Sequence, residues 1–340
     1  MERTMLAAVF AGPGEPRLEQ RPVPAVRAPD EVLLEVEGAG ICGTDLHILE
    51  DPPGHPATRG VILGHEYVGR VVEAGPAVAD LRPGDRVVVA PNLACGFCEA
   101  CLAGLPNQCA RFTTLGIYLD GGFARYNVAP RRALHRISPE LPVEEAVFAE
   151  LLSCVVGGTA RTALEPGEDV AILGAGPVGL LFALVLRGMG AGRIFAVDLV
   201  PRRLEAAVRI GCEPVDARSG GAVAQIREQT GGRGVDVAVD AVGSLFDQAV
   251  DVAAVGGRVV LFGMNDRARP PVHQYDITRR ELSILGTYIG IHTFPKAIRM
   301  LERGVVRPSV LLSATMPLAE APRAFDLLRR GEAIKIMLRP

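Results

Sequence analysis

Four cysteines fall within the sixteen residues Ala94–Cys109, "ACGFCEACLAGLPNQC", of a chain that holds only seven. Cys95, Cys98, Cys101 and Cys109 read C-x2-C-x2-C-x7-C, and four thiolates can enclose one Zn2+ tetrahedrally. A site of that kind has no open position for a substrate. It braces a loop too poor in apolar residues to hold itself. An iron–sulfur cluster is the functional rival, but its usual cysteine runs are spaced differently. Reduced surface thiols are the plainest alternative, and four of them would be an oxidation liability. The reaction chemistry therefore belongs elsewhere.

A second set of metal-type side chains is dispersed. Cys42 lies in "GICGTDLH", His65 and Glu66 in "LGHEYVG", and Glu150 in "FAELLSC". A thiolate, an imidazole and a carboxylate with one exchangeable position are what a catalytic zinc needs. On residue type alone, a buried small Cys and a hydrogen-bonded core His are both commoner than ligands.

The third candidate is a glycine turn. "ILGAGPVGL" supplies Gly174, Gly176 and Gly179 as G-x-G-x-x-G, with Pro177 and Val178 inside it. Gly174 permits the tight turn, Gly176 lets a pyrophosphate approach the backbone, and Gly179 lets helix and strand pack closely. The unpaired N–H groups at the helix start favour an anion. Asp198 stands 19 residues beyond the third glycine, at the end of the next apolar run, where a carboxylate accepts hydrogen bonds from ribose hydroxyls. It would repel a 2′-phosphate, so NAD is favoured over NADP; Arg202 and Arg203, close behind, temper that preference. The bland alternative is a glycine turn in an α/β domain that binds no nucleotide.

These groups need elements to position them. The chain has 340 residues, enough for two domains. Residues 1 to about 150 carry short β-like runs such as "EVLLEVEGAG", "GRVVEAG" and "DRVVVAP" between turn signals, which predicts an irregular β domain or partial barrel. From 169 to about 288, "DVAIL", "RIFAV", "VDVAVDAV", "GRVVLFG" and "LSILGTYI" alternate with helices starting near Pro177, Pro201, Ala222 and Phe246. That alternation predicts an α/β fold with a doubly wound parallel sheet. Two amphipathic helices, "FPKAIRMLERG" and "LAEAPRAFDLLRRGE", follow. The apolar run Val170–Leu186 is broken by "GAGP" and reads as buried strand, turn and helix, not as a membrane span. A net charge of -3 without long single-sign blocks argues against nucleic-acid or anionic-membrane partners. No secretory leader is recognisable at the start. The expected location is the cytoplasm, where clustered thiols stay reduced and mean metal or catalysis.

Taken together, the motifs resemble a known family. "GHEYVGRVVEAGPAV" matches G-H-E-x2-G-x5-G-x2-V, the signature of zinc-containing alcohol dehydrogenases. With "GICGTDLH", the four-cysteine loop and the late glycine turn, the chain resembles the zinc-dependent medium-chain dehydrogenases from end to end, and within them the polyol and L-threonine dehydrogenase branch. The resemblance implies two zinc ions per chain, one catalytic and one structural, and NAD as hydride acceptor. It implies Cys42 and His65 as ligands, with one of Glu66 and Glu150 binding directly. Asp45 would orient His65, Thr44 would hydrogen-bond the substrate oxygen, and His47 would end the proton relay. It implies a GroES-like catalytic domain over 1–150 and 289–340, with a structural-zinc lobe at 91–112. A Rossmann domain would span 151–288, with the active site between the two and hinges near 150 and 288. It also implies a homotetramer or dimer paired through the sheet edge near 282–289. Three positions depart from the sorbitol-type pattern: Ile48 replaces an aromatic, Ile289 an arginine and Leu151 a proline. The expected reaction is oxidation of a secondary alcohol, most simply a polyol or sugar alcohol, to the ketone. L-Threonine 3-dehydrogenase and vicinal-diol dehydrogenase are the alternatives within the class. A zinc-free reductase of the same superfamily and a non-catalytic NAD-binding zinc protein are the alternatives outside the class.

Overall fold

The computed structural model describes residues 3–340. The chain forms two compact units: one runs to Leu152 and resumes over Phe294–Pro340, and the other is Ser153–Thr293.

The second unit is built on a six-stranded parallel sheet. Across it the strands lie in the order Glu213–Asp216, Ile194–Asp198, Val170–Leu173, Val235–Asp240, Ala253–Leu261 and Ser283–Gly286. Numbered along the chain this is 3-2-1-4-5-6, the doubly wound order whose switch point lies beside the first strand. The central strands are buried along their whole length: all of Val170–Leu173 and Ile194–Asp198 is inaccessible, as expected of a sheet with helices on both faces. Helices begin at Pro177, Pro201, Ala222 and Phe246, where the sequence predicts them. Proline at the first helical position supplies the fixed φ and gives up an N–H that would be orphaned anyway. The strand Glu213–Asp216 went unpredicted. It has four residues, one of them Pro214, and only Val215 is buried, so it carries no period to read.

The first unit is predominantly β. A seven-stranded sheet includes the path Leu312–Pro317, Lys335–Arg339, Glu31–Gly40, Glu66–Ala74, Arg86–Val89 and Leu134–Arg136, with Tyr126–Pro130 also paired to Glu31–Gly40. Glu31–Gly40 is the organising strand. Its start pairs with Tyr126–Pro130, its end with Lys335–Arg339, and its full length with Glu66–Ala74. The chain thus returns some 300 residues later to place Met337 opposite Gly40, with Gly40 also opposite Glu66. The terminal helix Ala321–Arg329 seals this unit: Phe325 meets Phe123 edge to face at 6.2 Å. Among the described residues no helix is long and apolar enough to cross a membrane. The run Val170–Leu186 folds as a strand, a turn and most of the helix Pro177–Gly188.

Candidate functional site

Two clusters of metal-type ligands form in the first unit. In one, the ligand atoms of Cys42, His65 and Glu66 all lie within 4.8 Å of one another. Cys42 caps the short helix Gly43–Ile48, and the local sequence explains why. Asp45 turns its carboxylate back so that Oδ2 accepts the Cys42 backbone N–H at 2.8 Å, a reciprocal cap that starts the helix. The other Asp45 oxygen stands 3.5 Å from His65 Nδ1. His65 and Glu66 follow Gly64, whose positive φ of 90° suits glycine; a Cβ there would run into the Phe123 ring.

Most of the cluster is buried, with Cys42 partly exposed. Asp45 and Glu66 are 0% exposed and His65 5%. Among the described residues, Asp45 Oδ1, His65 Nδ1 and Glu66 Oε1 have no hydrogen-bond partner, which is uncommon for buried polar atoms and needs a physical cause. Burial, then Glu66, pushes the Cys42 thiol up. Burial opposes the charged form of His65, yet Asp45 and Cys42 beside it outweigh burial and raise it well above an ordinary imidazole. Cys42 and His65 thus hold protons that a divalent cation can displace. Its thiolate, imidazole and carboxylate fit zinc with a position to spare. Glu150 lies buried in the first turn of the helix Ala149–Thr162. It is not one of the three groups that share the 4.8 Å cluster.

Thr44 and His47 stand on the same short helix. Thr44 Oγ1 is 3.7 Å from Cys42 Sγ, while the His47 side chain is 57% exposed and pairs with Glu50 at 2.7 Å. Sequence reasoning left His55 without a role, but its half-buried ring lies within the electrostatic reach of Asp45, His47 and His65. Its Nδ1 meets the Pro56 carbonyl at 2.8 Å, so that nitrogen carries the proton and Nε2 is left as an acceptor.

Cys95, Cys98, Cys101 and Cys109 form the other cluster. Sulfur separations are 3.5 Å for Cys98–Cys101 and 3.8 Å for Cys98–Cys109. A tetrahedron with zinc–sulfur bonds of about 2.3 Å has edges of about 3.8 Å, so the thiols stand where one zinc would need them. The backbone N–H groups of Cys95 and Arg111 donate to Cys109 Sγ at 3.2 and 3.3 Å. The backbone N–H groups of Cys101 and Ala110 bring the Cys98 thiol down to about 6. This set fits a closed, structural ion.

In the second unit the glycine turn joins Val170–Leu173 to Pro177–Gly188, with Gly174 at φ 98° and Gly176 as the helix cap. Pro177 is the first helical residue and Val178 the second; both are partly exposed. Asp198 ends its strand with a backbone donor on each oxygen, Ala175 N–H at 2.8 Å and Val200 N–H at 2.9 Å. Arg203 Nη1 lies 3.4 Å from the same carboxylate. Oδ2 accepts from both Ala175 and Arg203, while Oδ1, with one donor, keeps acceptor capacity for a ribose hydroxyl. A Cβ at Gly179 would collide with the Gly174 carbonyl oxygen and lie 3.0 Å from Ile172 Cγ2. Gly179→Ala is therefore expected to destabilise this unit by about 1–3 kcal/mol and to weaken dinucleotide binding; thermal melts and a fluorescence titration check it. Unchanged binding and melting would remove the packing role.

Residues 28–139 match the alcohol dehydrogenase GroES-like domain and residues 177–303 the zinc-binding dehydrogenase domain. The chain is 34% identical to sorbitol dehydrogenase of Bacillus subtilis (strain 168), over 99% of this chain and 98% of that one. It is 32% identical to erythritol/L-threitol dehydrogenase of Mycolicibacterium smegmatis, over 99% and 98%. Among solved structures it resembles a Sinorhizobium meliloti 1021 protein assigned as a zinc-binding dehydrogenase and bound to NADP, at 32% identity and a TM-score of 0.94, each chain covered in full.

Proposed function

The chain belongs to the zinc-dependent medium-chain alcohol dehydrogenases, in their polyol branch, and from that premise we propose that it oxidises a secondary hydroxyl of a polyol or sugar alcohol to the ketone. The observation that carries the reading is the Cys42, His65 and Glu66 cluster, its imidazole and carboxylate buried, beside the Thr44 hydroxyl. Its relatives named for sorbitol and for erythritol/L-threitol support a substrate with several hydroxyl groups.

Bound zinc supplies a Lewis acid for the alcohol oxygen, and bound nicotinamide dinucleotide supplies the hydride acceptor. The protein's residues do the rest. Cys42, His65 and one of Glu66 and Glu150 hold the metal, and Asp45 keeps the His65 ring turned toward it. Thr44 would accept the substrate hydroxyl's proton as it releases its own toward His47, which would pass it to water. Gly174, Gly176, Pro177, Val178 and Gly179 form the pyrophosphate cradle. Asp198 receives the ribose hydroxyls, which favours NAD, while Arg203 beside it offers a cation to a 2′-phosphate. Cys95, Cys98, Cys101 and Cys109 hold the structural ion. We further place the protein in the cytoplasm, where those thiols stay reduced. We also propose a homotetramer or dimer joined along the Ser283–Gly286 edge strand.

A panel of polyols, sugars, vicinal diols and L-threonine, with NAD and with NADP and with zinc counted per chain, tests this. The expected result is two zinc ions and the highest kcat/KM on a polyol. Preference for L-threonine or a simple diol would move the substrate to the alternatives. Dinucleotide binding without turnover of any alcohol would make the protein non-catalytic.

A further inference from the structure

Positive charge in this chain is carried almost wholly by arginine; lysine occurs only at Lys296 and Lys335. Lys296 is exposed. Lys335 is 1% exposed, and its Nζ binds Oε2 of Glu66, itself 0% exposed. The pairing spans 269 residues and depends on the return of the terminal strand beside Gly40. Glycine is required at position 40 beside the pair: a Cβ on Gly40 would lie 2.6 Å from Glu66 Oε2 and 3.0 Å from Lys335 Cε. The Phe148 ring, 6.0 Å from Nζ, borders the ammonium. The second oxygen, Glu66 Oε1, has no hydrogen-bond partner among the described residues.

We propose that Lys335 is a positioning residue of the catalytic metal centre: it holds Glu66 by one oxygen, so that only Oε1 is available to a cation held with Cys42 and His65. The proposal rests on the zinc reading above. A carboxylate shared with an ammonium donates less charge to a metal than a free one does, so the cation stays more electrophilic and keeps its exchangeable position. The ammonium also repels the cation directly, since charges this close and this buried interact strongly. Lysine suits the task because it is compact and its donors rotate; the planar guanidinium of arginine needs more room.

The test uses protein loaded with cobalt(II) in place of zinc. In Lys335→Met, Glu66 is free to offer both oxygens. The visible bands of the catalytic cobalt should weaken as its coordination number rises, and release of that ion to a chelator should slow by about 10- to 100-fold. With zinc, kcat should fall while KM stays near its original value. Should the unpaired Glu66 charge prevent Lys335→Met from folding, Lys335→Gln keeps a donor for Glu66 and removes only the charge; the same changes should appear at smaller size. An unchanged spectrum with unchanged or faster metal release, in whichever variant folds, overturns the role of Lys335. Failure of the zinc reading is separate: it appears in the unsubstituted protein, as cobalt uptake limited to the four-cysteine lobe.

Discussion

Cys42→Ser should retain one zinc ion per chain where the original protein holds two, and should lose turnover by about 1,000-fold or more, because a metal's polarisation of substrate oxygen contributes several kcal/mol. The ligand cluster has three members within 4.8 Å. Losing the thiolate leaves an imidazole and a carboxylate that already shares a lysine. A serine hydroxyl stays protonated near neutrality and is a poor zinc donor. The helix should survive the change, because Asp45 still accepts the residue-42 backbone N–H and serine is itself a favoured N-cap. The four-cysteine lobe contributes none of its thiols to this cluster, so its ion should remain. Metal analysis, thermal melting and a dinucleotide titration separate loss of the ion from loss of the fold. Two zinc ions with full turnover in Cys42→Ser would end the proposed site.

Thr44→Val should keep both metal ions and dinucleotide affinity and lower kcat by about 100- to 10,000-fold, the usual size of a general acid–base contribution. Valine reproduces the shape and removes only the hydroxyl, which stands 3.7 Å from Cys42 Sγ. Thr44→Ser should restore most of the rate. His47→Ala should cost less than Thr44→Val, because His47 is 57% exposed and water can take over the last proton transfer. Steady-state kinetics on all three variants checks the order. A Thr44→Val protein with the original kcat would break the relay at its first member.

Residues that act through their near neighbours were readable before any fold was known. The four thiols of the lobe span Cys95–Cys109, whereas Asp45 entered only through the family resemblance and its cap on the Cys42 N–H came from the structure. Gly174, Gly176 and Gly179 serve one turn between a strand and a helix. Lys335 was not readable as a site residue. It sits in no motif, and the only clue was a rare lysine in the apolar stretch "AIKIML".

The amino-acid sequence by itself determined the two local devices, the thiol lobe and the glycine turn, along with the alternation that makes a parallel sheet. Short-range spacing specifies such features because backbone geometry over a few residues leaves little freedom. The family resemblance had already put Cys42 and His65 together with one of Glu66 and Glu150; only the tertiary structure set Glu66, and not Glu150, in the 4.8 Å cluster, and placed Lys335 on the far oxygen of Glu66. Those meetings depend on which strands lie beside Glu31–Gly40. Strand pairing across hundreds of residues is settled by burial of the whole sheet, not by any spacing along the chain.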